Sequence, residues 1–238
     1  MIGLKLPSRK RARDEAEKPF WISFADLMTA LMVLFLISVT VALFAVTQKP
    51  DEVAKQQAQR ERDIQALLSK ISESAKEYPG IIVRGHSIDF GPRANFETGK
   101  SALSAEQSAT LRAFVPKVLS AVRNPLGRKW FKRILVDGFA DQRGTYIYNL
   151  NLSLQRSERV LCVLLASPKL VSNALSDDDR KLVRGLFLVG GSSFNGLKAN
   201  FDESRRIEFK LEFLELDEKR QDFRDAKLDD DEICPVDL

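Results

Sequence analysis

FWISFADLMTALMVLFLISVTVALFAV, residues Phe20 to Val46, decides the architecture of the chain. Asp26 is its only charged side chain. A helix of this length reaches roughly 40 Å at about 1.5 Å per residue, more than the ~30 Å hydrocarbon core of a bilayer requires. The rival reading is a cleaved signal peptide, whose apolar region runs to about 7–15 residues and does not carry an acid. The stretch therefore predicts an uncleaved transmembrane helix over residues 20–46. Lys5, Arg9, Lys10, Arg11, Arg13 and Lys18 precede it, and after it the basic density falls and acids interleave. The excess of basic residues before the anchor predicts that the arm of residues 1–19 stays in the cytoplasm and that the rest of the chain lies across the membrane.

Asp26 is the informative residue of this stretch. An ionised acid in the bilayer interior costs a few kcal/mol. Apolar surroundings favour the neutral form of a carboxyl group, which suits a group that takes up and releases a proton. At helical spacing Ser23, Asp26, Thr29, Ala30, Val33, Ile37 and Thr40 share one face, while Leu27, Leu31, Leu34 and Phe35 lie elsewhere. Small, partly polar faces pack on other helices rather than lipid. That places Asp26 at an interface within the membrane, with Ser23, Thr29, Ala30 and Val33 lining an ion path beside it. The alternative is an Asp26 that snorkels to the cytoplasmic headgroups, one or two turns from the helix start.

The whole chain has 238 residues, enough for one ordinary domain beyond the anchor. Apolar residues make up 44% and charged residues 29%, which excludes a wholly disordered chain. A net charge of only +4 gives nucleic-acid binding no support. Residues 47–79 read as a helical linker: the segment 51–78 is polar, and Ile64, Leu68, Ile71, Ala75 and Tyr78 recur at spacings of four, three, four and three. That stripe either pairs with a second copy or packs back on the following domain.

After Pro79-Gly80 an α/β domain is expected over residues 80–216, an α+β sandwich in the order β-α-β-α-α-β-β. Ile81 to Phe90 reads as a strand, and Ser104 to Val122 as a helix with a capping box between Ser104 and Gln107. Ile134 to Phe139 is a second strand, and Leu150 to Ala166 a helix stopped before Pro168. A helix capped by Ser176 runs to about Arg184, and strands follow at Leu186 to Val189 and Arg206 to Leu214. Residues 217–238 are an acidic tail, in which Asp229 to Glu232 form either a solvated run or a cation site.

Cys162 and Cys234 lie beyond the anchor, in an oxidising space on this topology, and either pair or leave Cys162 as a buried thiol with Cys234 idle. The lone His86 has no evident partner and no assigned role. No nucleophile–base spacing, phosphate loop or metal-ligand spacing stands out, so no enzymatic activity, cofactor or metal is expected.

FADLMTALMVLFL resembles the membrane segment of MotB-type stator subunits. In that family an Asp at the position of Asp26 carries the protons that drive a motor. The resemblance implies a bacterial inner-membrane protein with its C-terminal domain in the periplasm. It further implies a second copy of the chain and a ring of five partner membrane subunits, since one helix forms no pore.

VDGFADQRGTYIYNLNLSLQRSERV, Val136 to Val160, is similar to OmpA-like peptidoglycan-binding domains. The matching positions are Gly138, Asp141, Asn149, Leu152, Ser153 and Arg156, with NFETGKSAL before and SRRIEFKL after. The family holds the diaminopimelate stem of peptidoglycan, and the resemblance gives Asp141 the ligand's ammonium and Arg156 its carboxylate. Charge-assisted bonds of this kind are the strong class. Residue types alone leave open a plain Asp141–Arg156 salt bridge. Arg205 and Arg206 are further candidates, or braces of the last strand. Phe139 stands where the family often has His, Gly99 lies near the place of an absent Asn, and Ser204 replaces an Asn.

The likeness to one stator-type family, the ZorB proteins of the Zorya anti-phage system, extends beyond these motifs. It includes EKPFWISFADLMTALMVLFL, KWFKRILVDGFAD and LVGGSSFNGLK. It implies a ZorA-like (MotA-like) partner and ion-driven motion in phage defence. A flagellar stator subunit and a passive wall tether are the alternatives.

Overall fold

The computed structural model describes residues 11–220 and Cys234. The first ten residues of the basic arm and the acid run Asp229 to Glu232 lie outside the described residues. The chain divides into two compact units, Met1–Gln57 and Ala58–Leu238.

The first unit is helical. Helix α1 runs Arg11–Ala75, so the expected anchor and the expected linker helix belong to one element whose last part lies in the second unit. Within it Ser23–Val46 has a mean hydropathy of 2.6 and is long and apolar enough to cross a membrane. Leu31, Leu34, Phe35 and Phe44 are among its large side chains that are more than half exposed, an arrangement suited to lipid or partner helices. Three of its hydroxyls bond to the helix itself: Thr29 Oγ1 donates to the Ala25 carbonyl at 2.7 Å, Ser38 Oγ to that of Phe35 at 2.8 Å and Thr40 Oγ1 to that of Leu36 at 2.6 Å.

The second unit is mixed α/β. Five strands lie in the order β1-β2-β5-β3-β4: β1 Ile82–Arg84, β2 Ser87–Asp89, β3 Phe131–Gly138, β4 Phe187–Gly191 and β5 Ile207–Phe213. Only β3 and β4 are parallel. A parallel pair needs a crossover, and helices α4 (Tyr146–Leu165) and α5 (Asp177–Leu186) supply it. Helices α2 (Ala105–Arg123) and α3 (Pro125–Trp130) precede β3, and the short α6 (Phe201–Ser204) precedes β5.

β5 shows why the sheet has this register. Ile207, Phe209, Leu211 and Phe213 are buried, and the alternate Glu208, Lys210 and Glu212 are half-buried on the other face. There Lys210 Nζ meets Asp137 at 2.5 Å and Glu212 meets Arg133 at 2.6 Å across to β3. A slip of one residue would exchange the two faces. The buried side chains join Phe114, Val118 and Leu119 of α2, Val160 and Leu164 of α4 and Val183 of α5 in one core. Ile64, Leu67, Leu68, Ile71 and Ala75 of α1 are part of that core, so the stripe packs back on its own domain. The Ser104–Gln107 capping box opens α2 as expected.

The segment Ile81 to Phe90 corrects one expectation. It is a hairpin rather than one strand, with Arg84 opposite Ser87 and a two-residue loop, Gly85-His86, between them. Gly85 has φ +55°, the backbone a tight hairpin loop requires. Cys162 of α4 and Cys234 are joined by a disulfide with a Cα–Cα distance of 5.6 Å.

Candidate functional site

The loop from the end of β3 into α4 builds the site. Gly138 ends β3 where α4 crosses it so closely that a Cβ would lie 2.0 Å from the Ser153 carbonyl oxygen. Only glycine permits that approach. The loop then places Asp141 beneath the start of α4, which Thr145 caps by accepting from the Tyr148 N–H.

Asp141 is 5% exposed. Its Oδ1 accepts from the Arg143 backbone N–H at 3.0 Å and from Arg143 Nε at 3.1 Å. Its Oδ2 accepts from Arg143 Nη2 at 2.5 Å and from Arg205 Nη1 at 3.0 Å. The Arg143 donors, helped by Arg205, hold the carboxyl at about 2, below its ordinary 3.8, against the opposing effect of burial. Asp141 is thereby held in its ionised form.

Arg156 is fully buried, three turns along α4. Its Nη1 donates to the Phe139 carbonyl at 2.7 Å, Nε to that of Lys100 at 3.0 Å and Nη2 to that of Glu97 at 3.1 Å. Its guanidinium lies 4.9 Å from the centre of the Phe96 ring. Burial, reinforced by the charge of Arg205, lowers it to about 10, and Asp141 opposes that fall, so it stays charged at neutral pH. A guanidinium has five N–H donors, and three are used here. No direct Asp141–Arg156 salt bridge forms: each is held by other partners, which corrects that reading of the two residues.

The two face one cavity of about 70 Å³, lined also by Thr98, Gly99, Arg143, Tyr148, Asn149 and Leu152. Asn149 is buried and donates to the Arg143 carbonyl at 2.9 Å, which fixes the loop. Arg205 belongs to the site through Asp141 and is itself pinned to the Phe96 carbonyl at 2.7 Å and to Asp202. Arg206 points elsewhere. It pairs with Glu208, donates to the Gly196 carbonyl at 2.8 Å and lies over Phe139, lining a separate cavity of about 470 Å³. His86 packs edge-on against Phe213. In the first unit Asp26, Ser23, Thr29, Ala30 and Val33 are all exposed along α1.

Arg143, Thr98 and Tyr148 are site residues that the sequence reading missed. The one available signal was Arg143 itself, a cation two residues past the key acid and followed by a turn glycine.

Residues 7–58 match the family model described as the membrane MotB of the proton-channel complex MotA/MotB. The Zorya protein ZorB of Escherichia coli O139:H28 (strain E24377A / ETEC) is 41% identical over 239 residues, covering 99% of this chain and 95% of that protein. Among solved structures, a putative MotB-like protein from Desulfovibrio vulgaris is similar with a TM-score of 0.40 and 15% identity, covering 67% of this chain and 98% of that one. The cell wall anchor of the T6SS from Pseudomonas aeruginosa is similar with a TM-score of 0.39 and 18% identity, covering 61% and 96%.

Proposed function

Since the chain belongs to the ZorB family of MotB-like stator subunits, we propose that it is the peptidoglycan-anchored subunit of an ion-driven inner-membrane motor in phage defence. One observation carries the reading. The segment matched to a proton-channel subunit includes a span apolar enough to cross a membrane, and Asp26 is the only acid in it.

Asp26 is the proton carrier in this mechanism. Ser23, Thr29, Ala30 and Val33 share its side of the helix and line the path. A proton crossing the membrane potential releases about 2.3 kcal/mol per 100 mV. Alternate neutralisation and ionisation of Asp26 changes its preference between apolar and polar neighbours and so biases the positions of surrounding helices. Those helices come from a ring of five ZorA-like (MotA-like) subunits around two copies of this chain. The basic residues before the span orient the N-terminus to the cytoplasm.

The periplasmic domain is the fixed end. The diaminopimelate stem of peptidoglycan ends in an amino acid, with an ammonium beside a carboxylate. Asp141 supplies the acceptor for the first and Arg156 the donors for the second. The shared cavity and the two uncommitted N–H donors of Arg156 support this assignment. A small amino-acid headgroup, rather than a sugar ring, suits a cavity of about 70 Å³.

The test is phage plaquing on cells carrying the gene with its neighbours, wild type against Asp26→Asn at matched protein levels. Protection by wild type and its loss in the variant is the expected result. Equal protection by both reduces Asp26 to helix packing and leaves a passive tether. Protection by neither returns the chain to a flagellar or envelope role.

A further inference from the structure

Asp141 has no room for a ligand as it stands. A carboxylate offers about four lone-pair positions. Two hydrogen bonds reach Oδ1 and two reach Oδ2, all at 3.1 Å or less, so all four are taken. An incoming ammonium requires one donor to leave. The backbone N–H of Arg143 is part of the loop. Arg205 is 8% exposed and held by the Phe96 carbonyl and Asp202 as well. The Arg143 side chain is different: it is 48% exposed, and beyond Asp141 it makes one hydrogen bond to Thr98 Oγ1 at 2.9 Å, lies 4.8 Å from the Phe201 ring and feels the charge of the exposed Asp202. Swinging it into solvent would free one position on each oxygen and open the cavity that it lines.

We propose that Arg143 is an internal stand-in for the ligand's ammonium, a displaceable cation that occupies Asp141 until a peptidoglycan stem replaces it. The proposal rests on the assignment of Asp141 and Arg156 to that stem. It has two chemical consequences. Only a ligand bringing its own cation gains from the exchange, because a neutral group would leave Asp141 short of the charge-assisted bonds it gives up. Selectivity for the amino-acid end of the stem is thereby built into the competition. The released guanidinium also stays near the mouth of the cavity, where its positive charge suits a second carboxylate of the ligand.

The experiment is a binding titration of full-length protein in detergent against purified peptidoglycan sacculi, for wild type, Arg143→Ala, Thr98→Val and Asp141→Ala. Removing the competitor should tighten binding by about tenfold in Arg143→Ala, the change expected from one released charge-assisted bond. Thr98→Val takes away only an outer anchor of Arg143 and should tighten binding by less. Weaker or unchanged binding by Arg143→Ala, with Asp141→Ala losing binding, overturns the stand-in and leaves the wall site intact. Binding undiminished in Asp141→Ala, or absent in wild type and Arg143→Ala alike, overturns the wall site and the stand-in with it.

Discussion

Asp141 illustrates how a single buried carboxylate is kept charged. Burial alone would favour its neutral form, yet the donors from Arg143 and Arg205 hold it at about 2. A carboxyl group depressed in the folded state stabilises the fold above its unfolded value, and that contribution disappears as pH falls through the folded value. The stabilisation is therefore complete above about pH 4 and gone below about pH 2, a difference on the order of 2 kcal/mol. Unfolding titrations across this window should show a steeper loss in wild type than in Asp141→Asn, and parallel slopes would remove the ion-pair account. The candidacy of Asp141 and Arg156 was legible in the sequence, because the resemblance is carried by fixed spacings along one strand–loop–helix unit. The role of Arg143 was not. Four arginines lie within reach of this loop or its flanks, Arg143, Arg156, Arg205 and Arg206. Which of them meets the carboxylate depends on side-chain direction and competing carbonyls, not on spacing.

At the scale of elements, the last turns of α1 are the most consequential packing choice. The stripe Ile64, Leu68, Ile71 and Ala75 announced an apolar face without saying what covers it. In the structure Leu67 joins it, and the face is buried in the core of the chain's own α/β unit. Polar contacts fix the angle: the Trp130 indole donates to Asp63 at 2.8 Å, and Arg60 Nε donates to the Leu214 carbonyl at 2.7 Å. Trp130 and the Asp63 carboxylate are both nearly out of solvent, so each satisfies the other's polar atom. Leu67→Ala should lower the stability of this unit by about 3 kcal/mol, measured by urea unfolding or amide exchange, whereas exposed Lys70→Ala should be near neutral. A stripe serving only a second copy would leave Leu67→Ala neutral in the monomer. The hairpin at Ile82–Asp89 was hidden for a related reason. A two-residue loop inside a run of ten residues breaks no period long enough to be seen, and only the pairing of β1 with β2 distinguishes the hairpin from a single strand.

At the scale of the molecule, one covalent link spans the α/β unit. The Cys162–Cys234 bond closes a separation of 72 residues and ties Cys234 to α4. In the chain-entropy model such a loop contributes roughly 4 kcal/mol by restricting the unfolded chain. Cys234→Ser, or reduction of the wild type, should lower the unfolding midpoint accordingly. Mass spectrometry of mature protein that finds two free thiols would remove the link. The sequence by itself determined the apolar span with its single acid, the capping box and most of the helices and strands of the domain, and it singled out Asp141 and Arg156 as candidates. These are legible because they are written in length, period and local spacing, which act within a few turns of chain. Only the tertiary structure decided the partner of the α1 stripe, the pairing of the cysteines and the closure of Asp141 by Arg143 and Arg205. Each of those rests on groups distant in sequence, or on one of several like side chains being favoured by burial and direction, and no pattern along the chain encodes that choice.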